Sequence, residues 1–284
     1  IGSYVLSIMA NVFLFWTRDV ALITGLTLAS GFFTSILLTT VMTTVRVAVP
    51  AEIRGRALSG VGGALRVGML IGPAVGGIVA DNYGVPTIFL LRATALGLGL
   101  ASFSLGSRHG VHGVDVQKIT AKGRADGIHS GTVARLRTGL RGRRRAIVTV
   151  GFAILTLSML RSSREFILPL WGETIGLSPT LIGIAVSAGA AFDLLLFIPA
   201  GIVSDRWGRR AAVALCLSIF SVGLFALLPA RSTAVFIVAA AVIGVGNGFG
   251  AGINMTTGTD LAPDNAVAEF LGLWRLYGDL GNAA

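Results

Sequence analysis

Charged residues and cysteine are scarce in this sequence. Only 13% of the 284 residues are charged, and Cys216 is the single cysteine. A soluble domain usually carries about 25% charged residues, so too little polar surface is available here to keep an apolar core in solution. One cysteine excludes an intramolecular disulfide and a cysteine cluster for a metal. These absences exclude a soluble globular domain and a disulfide-stabilised one.

The sequence is instead rich in long apolar runs. Hydrophobic residues make up 54% of the chain, and the mean hydropathy is +0.81. A membrane-spanning helix needs about 20 mostly apolar residues, whereas barrel strands have about ten and alternate strictly. The sequence therefore predicts an all-α, multi-pass membrane protein. Its eight spanning segments and a partial ninth lie at 3–16, 20–45, 57–80, 86–105, 146–170, 179–203, 211–229, 233–257 and 267–284.

The basic residues lie between the apolar runs. Sixteen lysines and arginines fall in one set of alternate gaps, and only Arg18 and Arg231 fall in the other set. Lys and Arg concentrate in cytoplasmic loops, so gaps 46–56, 106–145 and 204–210 are predicted to be cytoplasmic, in a cell (inner or plasma) membrane. Because the net charge of +10 is spread through the gaps and forms no single face, nucleic-acid binding is not expected.

One long polar segment, 106–145, divides the chain. It holds ten basic residues and all three histidines, His109, His112 and His129, whose arrangement gives metal binding little support. We interpret it as a basic cytoplasmic linker between an N-terminal half, 1–105, and a C-terminal half, 146–284. A lipid head-group or partner site in the linker is the alternative. No metal or other cofactor is expected.

The two halves repeat each other at a constant offset of 213 residues. A parallel repeat of helical halves is a transporter architecture. By this offset Ile1 corresponds to Ala214 and Ala284 to Ile71, so we expect further chain before Ile1 and a helix that continues beyond Ala284. The matches include Arg18 with Arg231, Gly31 with Gly244, Met42-Thr43-Thr44 with Met255-Thr256-Thr257, and Pro50 with Pro263.

A compact charged motif, G-x-x-x-D-R-x-G-R-R, follows the segment 179–203. Its members, which we call the signature loop, are Gly201, Asp205, Arg206, Gly208, Arg209 and Arg210. An aspartate is favoured near a helix N-terminus, and the arginines can bind carboxylates or helix C-terminal carbonyls. Such contacts can form in one access state and break in the other, so the motif can act as a charge latch. The motif resembles the signature loop of the major facilitator superfamily. That resemblance implies two pseudo-symmetric six-helix halves, here covering helices three to mid-eleven, and alternating access.

A glycine motif lies in the segment 57–80. The antiporter-type motif consists of Gly68, Gly72, Pro73, Gly76 and Gly77. Gly-Pro bends a spanning helix, and the glycine face permits close helix packing, which is also the simpler explanation. The motif resembles one in the family's antiporters, with Ser59 in place of their first glycine, and the resemblance implies export in exchange for protons. A family arginine associated with proton transfer is absent, because Thr27 occupies its place.

Charged residues inside predicted spans are costly and are functional candidates. Arg161 and Glu165 are one turn apart and can pair, and a contact between Arg66 and Asp193 is a further hypothesis. We predict proton or cation coupling at Asp193 and Glu165, with a static buried ion pair as the alternative. The candidate coupling or substrate residues are Arg66, Arg161, Arg164, Glu165 and Asp193.

The segment 233–257 carries Asn247 and Asn254 on one face among several glycines. A gate helix that lines a cavity and simple interhelical hydrogen bonding both fit this pattern. Arg92 is a weaker functional candidate, because its long side chain can extend (snorkel) so that the charged end reaches the polar membrane surface. Arg275 and Asp279 share one face of the last segment.

These observations predict a secondary active transporter and no enzyme. The expected substrate is a small organic solute moved by alternating access, with proton-coupled efflux favoured. Alternatives are a proton-coupled uptake symporter of the same fold and a transporter-like sensor or scaffold that moves nothing. The expected partners are the lipid bilayer, the solute and protons, and a monomer is expected.

Overall fold

The computed structural model describes residues 2–49, 51–110, 144–250, 257–258, 260–262 and 267–283. The chain divides into two compact units, Ile1–Ala121 and Lys122–Ala284, and each is described by itself. The described elements are all helices, and their bounds follow the apolar segments expected from the sequence to within a few residues at most ends.

The first unit contains four helices. They are α1 (Gly2–Trp16), α2 (Val20–Ala48), α3 (Ala51–Tyr83) and α4 (Thr87–Gly110). Helix α1 packs against both α2 and α4, and α3 contacts α2 and α4. The buried face of α1 is partly polar, because it contains Ser7 and Asn11 as well as Ala10 and Leu14.

The second unit contains the other four described helices. They are α5 (Arg144–Thr174), α6 (Pro179–Leu227), α7 (Thr233–Phe249) and α8 (Val267–Ala283). Helix α7 packs along α6, and α8 packs along α5. One apolar cluster joins α5, α6 and α7 around Phe220, Phe236 and Ile243, and a second joins α5 and α8 around Ile154, Phe270 and Trp274.

Helix α6 is two spanning helices joined at a sharp turn. Its 49 residues would extend about 74 Å at 1.5 Å per residue, more than twice the roughly 30 Å thickness of a bilayer core. Gly208 breaks the helical path with φ 83° and ψ 159°, a conformation that glycine adopts without steric cost. The predicted separate segments 179–203 and 211–229 are therefore the two arms of α6, with the signature loop between them.

Two other ends differ from the expectation. Helix α7 stops at Phe249, with Gly250 as its C-cap, and so ends before the predicted residue 257. The glycines of this stretch have low helix propensity, which accounts for an early end. Helix α3 begins at Ala51, six residues before the predicted apolar run, because a helix continues into a polar loop wherever its backbone remains hydrogen-bonded.

The helix starts reproduce the repeat that the sequence predicts. Helix α2 begins at Val20 and α7 at Thr233, 213 residues apart, and Asp19 and Ser232 are their N-caps. Each cap side chain accepts a hydrogen bond from the backbone N–H three residues on, as N-caps do. The register of the two units is therefore the same at these helices.

Long apolar helices and outward-facing apolar side chains define the exterior. Among the described residues, five stretches are long and apolar enough to span a membrane: Val20–Val41, Gly60–Tyr83, Thr87–Leu105, Ile147–Thr174 and Pro179–Leu227. The shorter α1 and α7 are also apolar. Leu28, Leu98 and Ile198 are each more than 70% exposed. In water such a surface would aggregate, so its solvent is lipid.

Candidate functional site

Asp193 and Asn247 meet between the first arm of α6 and helix α7. Asn247 Nδ2 donates a hydrogen bond to Asp193 Oδ2 over 2.8 Å. Each residue lies fourteen positions after the start of its own helix, or about 21 Å along it. Two helices that start at the same membrane face therefore bring these side chains to one depth. Asn247 is buried, with 7% exposure, and Asp193 is half-buried.

Arg161 of helix α5 completes this group, which we call the Asp193 cluster (Arg161, Asp193 and Asn247). Its Nη2 donates to the backbone carbonyl of Asn247 over 3.4 Å. That carbonyl belongs to the last turn of α7, where it also accepts a hydrogen bond from the Gly250 N–H over 3.0 Å and where a cation is favourable. The amide residue therefore contacts an acidic side chain through its side chain and a basic one through its backbone.

The cluster is held by close packing. A Cβ at Gly248 would lie 3.2 Å from the Asp193 Cα, and one at Gly250 would lie 2.6 Å from both Arg161 Nη2 and Cys216 Sγ. Larger residues at these two positions would displace the charged side chains. The glycines of this helix thus allow the charged side chains to approach it.

The predicted pair of Arg161 and Glu165 is absent from the described part of the chain. Arg161 reaches towards α7, whereas Glu165 is exposed and makes no ion pair with any described residue. Arg164 is half-buried on the same helix. Helix α5 thus directs one of its three charged candidates into the Asp193 cluster.

The signature loop is organised by Arg209. Its Nη1 donates to Ser204 Oγ over 2.8 Å and to Asp205 Oδ1 over 3.0 Å, and its Nε donates to Asp260 Oδ2 over 3.1 Å. The Asp260 bond ties the start of the second arm of α6 to the segment that follows α7. Arg206 and Arg210 are exposed. Asp205 accepts from Arg209 within its own loop, and its placement near another helix's N-terminus stays a prediction.

The antiporter-type motif lies in α3, with Pro73 inside the helix. Within the described residues, no atom comes within 4 Å of a Cβ built at Gly68, Gly72 or Gly76. The small residues therefore present an open face in this unit, while Gly77 is buried. Arg66 is half-buried on the same helix, and its predicted contact with Asp193 stays a prediction. Asn254, the other predicted cavity residue, lies outside the described residues.

Three polar contacts were missed from the sequence. Asp260 was not singled out, although an acidic residue in a gap that has no Lys or Arg (258–266) is a signal for a basic partner elsewhere. Arg92 donates to Thr34 Oγ1 over 3.4 Å and does not point along its own helix. A buried group joins α1 to α2, where Asn11 Nδ2 donates to the Ser7 carbonyl and to Ser30 Oγ at 2.7 and 3.0 Å. The spacing of Ser7 and Asn11, one helical turn, was the available signal.

The two charged residues that share a face of the last helix form an ion pair. Arg275 Nε lies 3.5 Å from Asp279 Oδ2, with both side chains mostly exposed. Within the ranges that the structure describes, no three His, Cys, Asp or Glu side chains gather as metal ligands would. The Asp193 cluster itself offers hydrogen bonding and a carboxylate at which a proton can be exchanged.

Paired apolar helices, a repeated register and half-buried charged groups between helices define a multi-pass helical membrane protein with a transporter architecture. The sequence profile of the Major Facilitator Superfamily matches residues 1–284. The chain belongs to the major facilitator superfamily, and it is a membrane transporter rather than an enzyme.

A crystal structure of a D-xylose–proton symporter shares the fold. It superposes with a TM-score of 0.66 at 16% sequence identity, and the match covers 99% of this chain and 69% of that one. At this identity the likeness shows the fold alone. No curated protein sequence matches the chain.

Proposed function

We propose that the protein is a proton-coupled exporter of a small organic solute, in which Asp193 carries the coupled proton. The observation that carries this proposal is the hydrogen bond between Asp193 and Asn247, next to Arg161. A carboxylate within a membrane span is costly unless it has a function. This one lies where three helices of one unit meet, so a change in their packing alters its surroundings.

The antiporter-type motif supports export over uptake. Its open glycine face and Pro73 give α3 a surface that can pack in more than one way. The rival is uptake by symport with protons, and the D-xylose–proton symporter is a symporter by name. We favour exchange because the motif is present in this chain, whereas the likeness to the symporter concerns the fold.

The signature loop supports alternating access. Arg209 joins Asp205 and Asp260 by ion pairs of 3.0 and 3.1 Å. Each exposed pair contributes only about 0.2–1 kcal/mol. Contacts of this strength can form in one access state and break in the other without locking the protein in either, so the loop serves as a reversible latch at the cytoplasmic side.

Accumulation in proteoliposomes tests the direction. The complete gene product is reconstituted, and ethidium and D-xylose serve as probe solutes under imposed pH gradients. Exchange predicts that a probe accumulates when the interior is acidic, whereas symport predicts accumulation when the exterior is acidic. Binding of a probe without accumulation under either gradient would favour the sensor alternative.

Asp193→Asn tests the coupling residue. We expect the variant to bind the probe but to lose gradient-driven accumulation, because a carboxamide carries no exchangeable charge at this position. Glu173→Gln is the matched control, since Glu173 is exposed near the end of α5 and lies outside the Asp193 cluster. If Asp193→Asn accumulates the probe as the unaltered protein does, Asp193 has no part in coupling.

A further inference from the structure

The side-chain amide of Asn247 uses only one of its two ends. Its nitrogen donates to Asp193. Its oxygen, Oδ1, is buried and has no hydrogen-bond partner among the residues that the structure describes. Buried polar atoms are nearly always hydrogen-bonded, so an unpartnered acceptor beside a carboxyl group indicates a second state in which it is used.

The two ionisation states of Asp193 make different demands on this amide. An ionised carboxylate only accepts hydrogen bonds, and a protonated one gains an O–H donor. In the ionised state the Asn247 nitrogen donates a hydrogen bond to the carboxylate. In the protonated state the new O–H requires an acceptor, and Oδ1 is carried by the same planar amide that already faces the acid.

We propose that Asn247 Oδ1 accepts the hydrogen bond of the proton carried by Asp193, so that the two side chains form one proton-binding site. The proton arrives from water and adds to a carboxylate oxygen. It later returns to water, and no bond of Asn247 is made or broken apart from hydrogen bonds. Asn247 is then a positioning residue. This inference rests on the proposed function, which assigns the coupled proton to Asp193.

The neighbouring groups do not replace this role. Among the described residues, Arg161 of α5 and Cys216 of the second arm of α6 are the other charged and titratable groups next to Asp193 and Asn247. Arg161 bonds the backbone carbonyl of Asn247, so that contact is available whatever the side chain at position 247. Changes to the side chain therefore test the amide while the backbone bond to the arginine is kept.

Infrared difference spectroscopy between acidic and alkaline pH reads the site without a substrate. In the complete gene product we expect a carboxylic acid C=O band that disappears in Asp193→Asn. In Asn247→Leu we expect this band to move to higher wavenumber, because the acid has lost its acceptor. Coupled proton movement in proteoliposomes should fall at least tenfold in the same variant.

A second variant keeps the test open if Asn247→Leu does not fold. Asn247→Thr places there the residue found at the repeat-equivalent position, Thr34, and a hydroxyl can both donate and accept. We expect its band to lie between those of the unaltered protein and the leucine variant. Asn11→Leu is the matched control, because Asn11 is also buried with an unpartnered Oδ1 among described residues, but it bonds serines rather than an acid.

The outcomes separate the two proposals. If the Asp193 band is present but unmoved in both Asn247 variants, the inference is wrong and the proposed function stands. If no band depends on Asp193, the coupling proposal itself fails. If probe binding falls in Asn247→Leu while the band stays in place, Oδ1 serves a donor on the solute, and the inference is overturned.

Discussion

Arg209 shows how much one guanidinium contributes to the signature loop. Its planar fork presents several N–H donors in fixed directions, and three acceptors on two segments use two of its nitrogens. The side chain is 34% exposed, with Asp205 and Asp260 more exposed still. The loop is therefore held by geometry more than by the strength of any one pair.

Arg209→Lys keeps the positive charge but removes the fixed arrangement of N–H donors that the guanidinium provides. A lysine has one nitrogen on a flexible stem and cannot reproduce the separate bonds of Nε and Nη1. We expect thermal stability to change little, since exposed pairs contribute about 1 kcal/mol or less. A free-energy change of that size shifts the equilibrium between the access states by about fivefold. We therefore expect the transport rate in the proteoliposome assay to fall by about this factor.

Arg206→Lys is the control for this prediction. Arg206 belongs to the same loop, is exposed, and makes no hydrogen bond in the described structure. We expect unaltered transport in this variant. Equal losses in the two variants would show that the loop requires arginine for a reason other than the contacts of Arg209.

At the scale of elements, the crossing of α6 and α7 depends on two glycines. A Cβ built at Gly244 would collide with the Gly189 carbonyl, and one at Gly189 would lie 2.8 Å from the Ala240 carbonyl. Helices approach this closely in membranes through small residues. The same crossing sets the distance between Asp193 and Asn247, each of which lies within one turn of a crossing glycine.

Gly244→Ala is expected to destabilise the second unit. Overpacking of this kind costs about 1–3 kcal/mol, more than the roughly 0.5–1 kcal/mol that alanine gains over glycine in a helix. Thermal unfolding of the detergent-solubilised protein should show a lower midpoint. Gly201→Ala, in α6, is the control, because no described atom lies within 4 Å of its Cβ position. A midpoint that falls equally in both would contradict the crossing as the cause.

Hydropathy and the repeat predicted the helices of this fold well, because both depend on the sequence of a single segment. The shared register of Val20 and Thr233 is a direct case. Partners between segments were less predictable. Asn247 and Asp193 are 54 residues apart, and their contact depends on the rotation of two helices about their axes. The helical periodicity predicted that Asn247 lies on a polar face of its helix. It could not predict which residue of another helix contacts that face, because this depends on the packing.

At the scale of the whole molecule, the distribution of basic residues predicts the sidedness of the chain in the membrane. Lys and Arg flanking the spans on one side set the orientation, and the gaps 46–56, 106–145 and 204–210 carry nearly all of them. The loop between α3 and α4 and the loop between α5 and α6 belong to the other set. Their exposed residues Asn82 and Glu173 are therefore expected on the outside.

Labelling of introduced cysteines tests this orientation. In intact cells a membrane-impermeant maleimide should label Asn82→Cys and Glu173→Cys, and it should label Arg210→Cys only after the cells are permeabilised. Cys216 is fully buried, so the unaltered protein supplies a low background from the described chain. The reverse pattern would place the signature loop outside and would remove the physical basis for a cytoplasmic latch. Labelling of all three sites in intact cells would contradict the alternation of gaps, because one helix would then be missing from the count of spans.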